Sequence, residues 1–215
     1  MKSRTISIML ALALILSCAV FAPVYADEQK TATGSAADTD IEIADETWDK
    51  EAAEWAAKTV LSDRTYSWNS SAAISRAEAV TFLWKAAGSP VVNYAMPFKD
   101  VEEDAFYTEA ARWAASEKIL LGVSEDTFAP ALSVTREQLA ALIYRYAQSK
   151  GEGFSGLWMF LLDFEDASAV SNWADEAMHW CVMNGVINGV GGGKLDSQGT
   201  TTLKQACTVL YRVFK

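Results

Sequence analysis

The residues best suited to chemistry in this sequence lie in a four-residue motif that occurs three times, at positions 75–78, 135–138 and 202–205. Each copy begins with Ser or Thr and has Glu or Gln three residues later, which is the capping box of a helix N-terminus. In the first two copies the second residue is an arginine, Arg76 or Arg136. A helix start offers unpaired N–H groups and partial positive charge, and a guanidinium adds a forked donor, so this combination favours contact with a carboxylate. An arginine that is simply solvated beside a cap is the competing interpretation.

Each box is followed by apolar residues at the spacing i, i+3, i+4 and i+7, which is typical of one buried helix face. The stripes are Ala79, Phe82, Leu83 and Ala86, then Leu139, Leu142, Ile143 and Tyr146, then Ala206, Val209, Leu210 and Val213. The sequence therefore predicts three helices that begin with the same cap and bury the same face.

The boxes belong to longer repeats, and the copy at residues 98–150 is the clearest. It opens with Phe-Lys-Asp-Val, continues into a first helix that contains Trp113, and turns at Gly122. A loop and then the box with its second helix close the copy. Each repeat is therefore predicted to be a helix-loop-helix unit.

The other two copies are less regular. The copy at 163–215 follows at an offset of 67 residues, and Trp180 and Gly189 stand where the second copy has its tryptophan and glycine. The copy at 47–88 is degenerate: it keeps Trp55, but it lacks the glycine turn and its loop is two residues shorter. Three tandem repeats are predicted on this basis.

Residues 1–26 have the pattern of a secretory signal peptide. A positively charged start precedes an apolar run at 6–20, and a small-residue cleavage site ends at Ala26. A lipoprotein-type cleavage box before Cys18 is the alternative, and we favour Ala26 because that site lies at the expected distance. Residues 27–46 are acidic and lack apolar periodicity, so they are predicted to form a flexible leader of a secreted chain.

Length and charge limit the classes of function that remain. With 215 residues and 51% hydrophobic content, the chain can bury the core of one or two domains or of a short repeat array. The formal net charge of −10 makes nucleic acid an unsuitable partner, because phosphate binding needs clustered Lys and Arg. No segment beyond the N-terminal region approaches ~18 uninterrupted apolar residues, so no transmembrane segment is predicted.

Taken together, the motifs resemble the S-layer homology domain: a Phe-x-Asp-Val opening, a helix with Trp-Ala, a glycine turn, a Phe-x-Pro loop and a Thr-Arg-x-Glu box. The resemblance covers about residues 41–215 and is most specific in the second and third copies. It implies an all-α fold in which three helix-loop-helix repeats form a pseudo-three-fold bundle, with the box helices around a common axis. It also implies that grooves between repeats bind a secondary cell-wall polysaccharide, commonly one with ketal-linked pyruvate. Such a module anchors an exported protein noncovalently to the bacterial cell surface, without catalysis.

On this resemblance, Arg136 and Arg76 are the first candidates for ligand contact, together with the neighbouring caps Thr135 and Ser75. The first copy lacks the glycine turn, so the groove of Arg136 is the one most strongly expected to bind a ligand. At most two grooves are expected to bind.

The third box differs at the position that matters most. Leu203 stands where the other boxes have arginine, and Lys204 lies next to it. Either Lys204 substitutes as a point charge, or this groove has lost its ligand, and we favour the loss.

Aromatic and glycine residues complete the candidate site. Trp55, Trp113 and Trp180 could stack on sugar rings, but a tryptophan at helical spacing beside alanines is more often part of a core, and the core interpretation is favoured. Gly122 and Gly189 are expected to serve a positive φ or a close approach to the ligand.

Two cysteines lie in the last third of the chain. Cys181 and Cys207 align with Ala114 and Ala140, small positions at which paired helices should approach closely. They can form a disulfide if their Cα atoms lie within ~7 Å, and buried free thiols are the equal alternative.

The sequence does not favour an enzyme. His179 is the only histidine and lies on a predicted helix, and there is no Ser-His-Asp set, zinc-ligand spacing or phosphate-binding loop. No metal or cofactor is predicted. The alternative function is a helical protein–protein interaction module at the cell envelope.

Overall fold

The computed structural model describes residues 50–63, 65–155 and 159–215, and in these ranges the regular structure is helical. The helices are α1 (Lys50–Thr59), α2 (Arg76–Ala86), α3 (Thr108–Ser116), α4 (Arg136–Ser149), α5 (Asp175–Met183) and α6 (Leu203–Phe214), with a short 3-10 turn at Ala167–Ala169. The all-α prediction is confirmed. Within the described ranges no helix is both long and apolar enough to cross a membrane. The predicted signal peptide at 1–26 and leader at 27–46 lie outside the described residues.

The three box helices begin where the sequence predicts. Ser75, Thr135 and Thr202 have extended backbone, and each accepts a hydrogen bond from the N–H group three residues later. In return, the N3 side chain accepts from the cap N–H; the Glu78 carboxylate, for example, lies 2.8 Å from the Ser75 nitrogen. Each reciprocal cap satisfies two otherwise unpaired donors and stabilises its helix by about 1 kcal/mol.

The helices pair between repeats. The first helix of each copy packs on the box helix of another copy: α3 on α2, α5 on α4, and α1 on α6. In addition, α2 contacts both α4 and α6. The pairing thus passes from the first copy to the third and returns to the first, which is what the predicted pseudo-three-fold bundle requires; the symmetry itself stays a prediction.

A closed ring of backbone hydrogen bonds holds the starts of the box helices together. The Ile74 N–H donates to the Thr201 carbonyl at 2.9 Å, the Thr201 N–H donates to the Val134 carbonyl at 2.9 Å, and the Val134 N–H donates to the Ile74 carbonyl at 3.0 Å. All three residues are buried, and each lies directly before a capping box. Since buried backbone groups need partners, this ring fixes the three helix N-termini near one another.

One hydrophobic core runs through all three copies. Its fully buried side chains include Phe82, Ile143 and Leu210, one from each box helix. These residues belong to the apolar stripes predicted from the spacing. The core therefore holds the repeats in one body and positions their loops against the helix starts.

Candidate functional site

Arg136 joins the second repeat to the loop of the third. Its side chain is 6% exposed. Nε donates to the Leu195 carbonyl at 2.9 Å, and Nη2 donates to the Asn188 carbonyl at 2.7 Å. The backbone N–H of Arg136 also donates, to the Gly199 carbonyl at 2.9 Å. The arginine is therefore a tie between repeats and is not solvated beside its cap.

Arg76 makes the same connection one repeat earlier. Its Nε donates to the Phe128 carbonyl at 2.8 Å and its Nη2 to the Leu121 carbonyl at 3.0 Å. The guanidinium also lies 5.2 Å from the centre of the Phe128 ring, within range of a cation–π contact. The hydroxyls of Ser75 and Thr135, predicted ligand contacts, accept from their own helices.

The Phe-x-Asp openings hold the loops that present these carbonyls. The Asp100 carboxylate accepts from the N–H groups of Phe128 and Ala129, at 2.8 and 2.6 Å. Asp166 accepts from the two corresponding N–H groups of the third repeat, at 2.8 and 2.9 Å. These two hydrogen bonds lower the pKa of the Asp166 carboxyl. The aspartate of the repeat motif thus shapes the loop, and the loop shapes the groove.

A cavity of about 210 Å³ lies between the start of α4 and one face of α6. Its lining residues are Arg136, Ile187, Asn188, Gly189, Val190, Gln205, Thr208, Val209 and Arg212. Burial lowers the pKa of Arg136; the nearby Asp196 opposes this shift and the positive charge of Arg212 adds to it. Burial also lowers the pKa of Arg212, whose Nη1 donates to the Val186 carbonyl at 3.2 Å. Since guanidiniums stay protonated, the cavity brings two positive charges together, and its lining contains no carboxylate among the described residues.

The groove beside Arg76 is much tighter. Its cavity measures about 20 Å³, close to the space of a single water molecule. A separate cavity of about 310 Å³ lies beside Gly122, and its lining includes Glu125 but no arginine. Of the two arginine grooves, only that of Arg136 has room for part of a ligand.

The third box lacks the guanidinium that marks the other two. Leu203 occupies the arginine position and is buried, with 4% of its surface exposed. Lys204 is half-buried, and its backbone carbonyl accepts from the Thr208 hydroxyl at 2.8 Å. Whether Lys204 replaces the missing charge stays a prediction, although the buried leucine favours loss of this groove.

The expectation of a positive φ at the two turn glycines is wrong. Neither Gly122 nor Gly189 has a positive φ. A Cβ on Gly122 would lie 2.2 Å from the Ser124 carbonyl oxygen and 2.8 Å from the Phe98 ring, and one on Gly189 would lie 2.7 Å from the Lys194 carbonyl oxygen. Each glycine therefore permits a close approach of its own loop. Gly189 also lines the cavity, and its contact with a ligand stays a prediction.

Two of the three predicted tryptophans, Trp113 and Trp180, are core residues, and Trp55 packs against the core. Trp113 and Trp180 are 4% and 7% exposed, and Trp55 is half-buried against Phe214, with ring centres 6.3 Å apart. The indole N–H of Trp180 donates to the Glu152 carbonyl at 2.9 Å. Little of the Trp113 or Trp180 ring surface remains for sugar stacking.

Three polar residues of the cavity lie on α6 and were not predicted from the sequence as site residues: Gln205, Thr208 and Arg212. A signal was present, because a basic residue follows each cap by ten positions: Lys85, Arg145 and Arg212. The Gln205 Oε1 accepts from the cap N–H, so its amide N–H groups remain as donors for a ligand. The Thr208 hydroxyl donates to Lys204, so its oxygen remains as an acceptor.

Both cysteines are free, buried thiols in the structure. Burial raises the pKa of each, and the Cys181 thiol donates weakly to the Ala140 carbonyl at 3.7 Å. His179 contacts the Asp175 carbonyl at 2.8 Å within its own helix. In the described ranges no group of three or more His, Cys, Asp or Glu could hold a metal ion.

Comparison with known proteins defines the class. The S-layer homology domain family profile matches residues 97–140 and 163–207. The chain therefore contains two S-layer homology domain repeats, and the helix pair formed by α1 and α2 suggests a third. S-layer homology domains are in general associated with the cell wall at the bacterial cell surface.

Two relatives are similar over more than half of the chain. A surface-layer 125 kDa protein of Lysinibacillus sphaericus is 35% identical over 133 residues, which cover 62% of this chain and 11% of that protein. An endoglucanase of Bacillus sp. (strain KSM-635) is 26% identical over 137 residues, which cover 64% of this chain and 14% of the enzyme. The chain thus aligns with a small part of each relative.

Proposed function

We propose that this chain anchors to the wall by binding an acidic secondary cell-wall polysaccharide, with a carboxylate such as a pyruvate ketal held between the second and third repeats. The observation that carries the proposal is the pair of guanidiniums, Arg136 and Arg212, on one cavity of about 210 Å³. No bond is made or broken in this function, so the protein is proposed to be non-catalytic.

The cavity supports binding of an anion through both charge and hydrogen bonds. The burial of Arg136 strengthens the attraction of its guanidinium for a carboxylate, because charges interact more strongly where water is excluded. Arg136 uses Nε and Nη2 to hold the loop, and its Nη1 is left for a ligand. Arg212 uses Nη1, and the amide of Gln205 adds donors for sugar hydroxyls.

The proposed site also explains why the three grooves should differ. The groove of Arg76 has the arginine but a cavity of only about 20 Å³, and the third start has the buried Leu203. The groove between the second and third repeats combines charge with space. We propose it as the principal site, with at most one other working groove.

The test is a pull-down on sacculi of Lysinibacillus sphaericus, before and after chemical removal of the secondary polysaccharide. Wild type should bind before removal and lose binding after it. Arg212→Ala should weaken binding about tenfold to a hundredfold, since a charge-assisted hydrogen bond is worth roughly 1.5–3 kcal/mol. Lys204→Ala is the matched control, because it removes a positive charge from the same helix outside the cavity lining, and it should bind like wild type.

Two results would count against the proposal. Equal losses for Arg212→Ala and Lys204→Ala would show that general charge, and not this cavity, drives attachment. Binding that survives removal of the polysaccharide would favour the alternative, a helical protein–protein interaction module at the envelope.

A further inference from the structure

A further, polar cavity lies between α4 and the start of α5. It measures about 140 Å³, below the ~300 Å³ of pockets that enclose drug-sized ligands, so it suits one unit of a polymer. Its lining residues are Ala141, Tyr144, Arg145, Gln148, Trp173, Glu176 and Ala177. None of them lines the cavity of Arg136 and Arg212.

Arg145 provides a cation that has no acceptor. It is half-buried, and burial lowers its pKa. No hydrogen bond or ion pair joins it to any residue in the described ranges, and its positive charge repels that of Arg76, whose pKa it lowers. The equivalent residues of the other repeats are both engaged: Lys85 pairs with Asp63, and Arg212 donates to Val186.

Trp173 adds an aromatic surface to the same cavity. It is 56% exposed, unlike the buried Trp113 and Trp180. An indole in this position combines a flat apolar face with access to solvent, which suits the C–H face of a sugar ring.

The remaining polar groups of the cavity are oriented for hydrogen bonding. The Tyr144 hydroxyl donates to the Glu176 carboxylate at 2.9 Å, which fixes that carboxylate as an acceptor. Burial and this hydrogen bond raise the pKa of Tyr144, so the phenol stays a donor. The exposed amide of Gln148 supplies both a donor and an acceptor.

We infer that this cavity is a second saccharide subsite, at which Arg145 binds the carboxylate of an acidic sugar while Trp173 stacks on its ring. The inference rests on the proposed function, because the occupant is a further acidic unit of the same wall polysaccharide. A polymer that repeats its acidic unit can engage two cationic cavities at once, and the second contact then strengthens attachment through its high effective concentration.

The test measures the affinity of the protein for polysaccharide released from Lysinibacillus sphaericus sacculi, by isothermal titration calorimetry. Trp173→Ala and Arg145→Gln should each weaken binding about fivefold to tenfold, as expected for loss of one stacking or charged contact. Phe106→Ala is the matched control: Phe106 stands at the equivalent place in the second repeat and is 46% exposed, but the basic residue there, Lys85, is paired with Asp63. This variant should bind like wild type.

A second readout separates stacking from any change in fold. In wild type, saturating polysaccharide should reduce acrylamide quenching of tryptophan fluorescence, and Trp173→Phe should lose this protection while it keeps most of the affinity. Wild-type affinity in both Trp173→Ala and Arg145→Gln, or an equal loss in Phe106→Ala, would overturn the subsite and leave the principal site intact. Absence of binding by wild type would instead overturn the proposed function, and the subsite with it.

Discussion

At the scale of single residues, Arg136 has a structural role that a binding assay alone does not separate from ligand contact. Its guanidinium donates to two carbonyls of the third repeat and is almost fully buried. A loss of binding in an Arg136 variant therefore mixes two causes. For this reason Arg212, which is half-buried and makes one hydrogen bond to a carbonyl, is the better probe of the cavity.

We predict that Arg136→Ala lowers the free energy of unfolding by about 2–4 kcal/mol, because it removes two charge-assisted hydrogen bonds and leaves the buried Leu195 carbonyl unpaired. Urea unfolding followed by circular dichroism measures this change. Lys204→Ala, a half-buried residue outside the cavity lining, should shift stability by only about 0.5 kcal/mol. An unchanged urea midpoint in Arg136→Ala would show that the hydrogen bonds of Arg136 to the third repeat do not stabilise the fold.

The sequence predicted that Arg76 and Arg136 follow capping residues, since the box is a local pattern. It did not predict their acceptors, because the Arg136 side chain bonds to carbonyls 52 and 59 residues later in the chain. Distances of that kind depend on how the repeats pack and leave no local signature. Arg212 was not predicted for the same reason: its place in the cavity depends on how α6 packs beside the loop of its own repeat.

At the scale of elements, the loops depend on one carboxylate in each of the last two repeats. Asp166 accepts hydrogen bonds from two backbone N–H groups. The resulting loop geometry places the Leu195 carbonyl within hydrogen-bond distance of Arg136. From the sequence, the Phe-x-Asp opening was recognised as part of a repeat, but no structural role was predicted for its aspartate. That role depends on contacts between Asp166 and loop residues 29 and 30 positions later in the chain.

We predict that the contribution of Asp166 to stability depends on pH. Its folded-state pKa is lowered by the two backbone N–H groups, so the contribution is fully present above the unfolded-state pKa of about 3.9 and is lost as pH falls through the folded value. The stability difference between wild type and Asp166→Asn should therefore shrink as pH falls from neutral to below 4. Urea unfolding at a series of pH values measures it, with the exposed Asp104→Asn as control. A difference that does not change with pH would contradict the assignment.

Helix starts and buried faces were predictable, whereas helix pairing was not. The apolar spacing after each box predicted α2, α4 and α6 correctly because it depends on neighbours within two turns. That α3 packs on α2 and α5 on α4, from one repeat to another, follows from tertiary packing. The expectation of a positive φ at the glycine turns failed for the same reason, since what these glycines permit is close packing of the loop and of the Phe98 ring.

At the scale of the whole molecule, the ring of hydrogen bonds among Ile74, Val134 and Thr201 brings three helix starts together, but the three joints are not equivalent. Two joints have an arginine tie, and the third has the buried Leu203 in its place. Clustering of the starts explains how a chain of short repeats can present more than one binding groove. The differences among the joints explain why one groove should dominate.

The most direct test of the central claim, that an acidic wall glycan is held between two guanidiniums, is the NMR spectrum of the arginine side chains. Released polysaccharide should shift the Nε–H signals of Arg136 and Arg212 in parallel, with the same affinity for both. Arg112 lies beside Glu109, outside the cavity lining, and its signal should stay unchanged. An unshifted Arg212 signal at saturating polysaccharide would contradict the account.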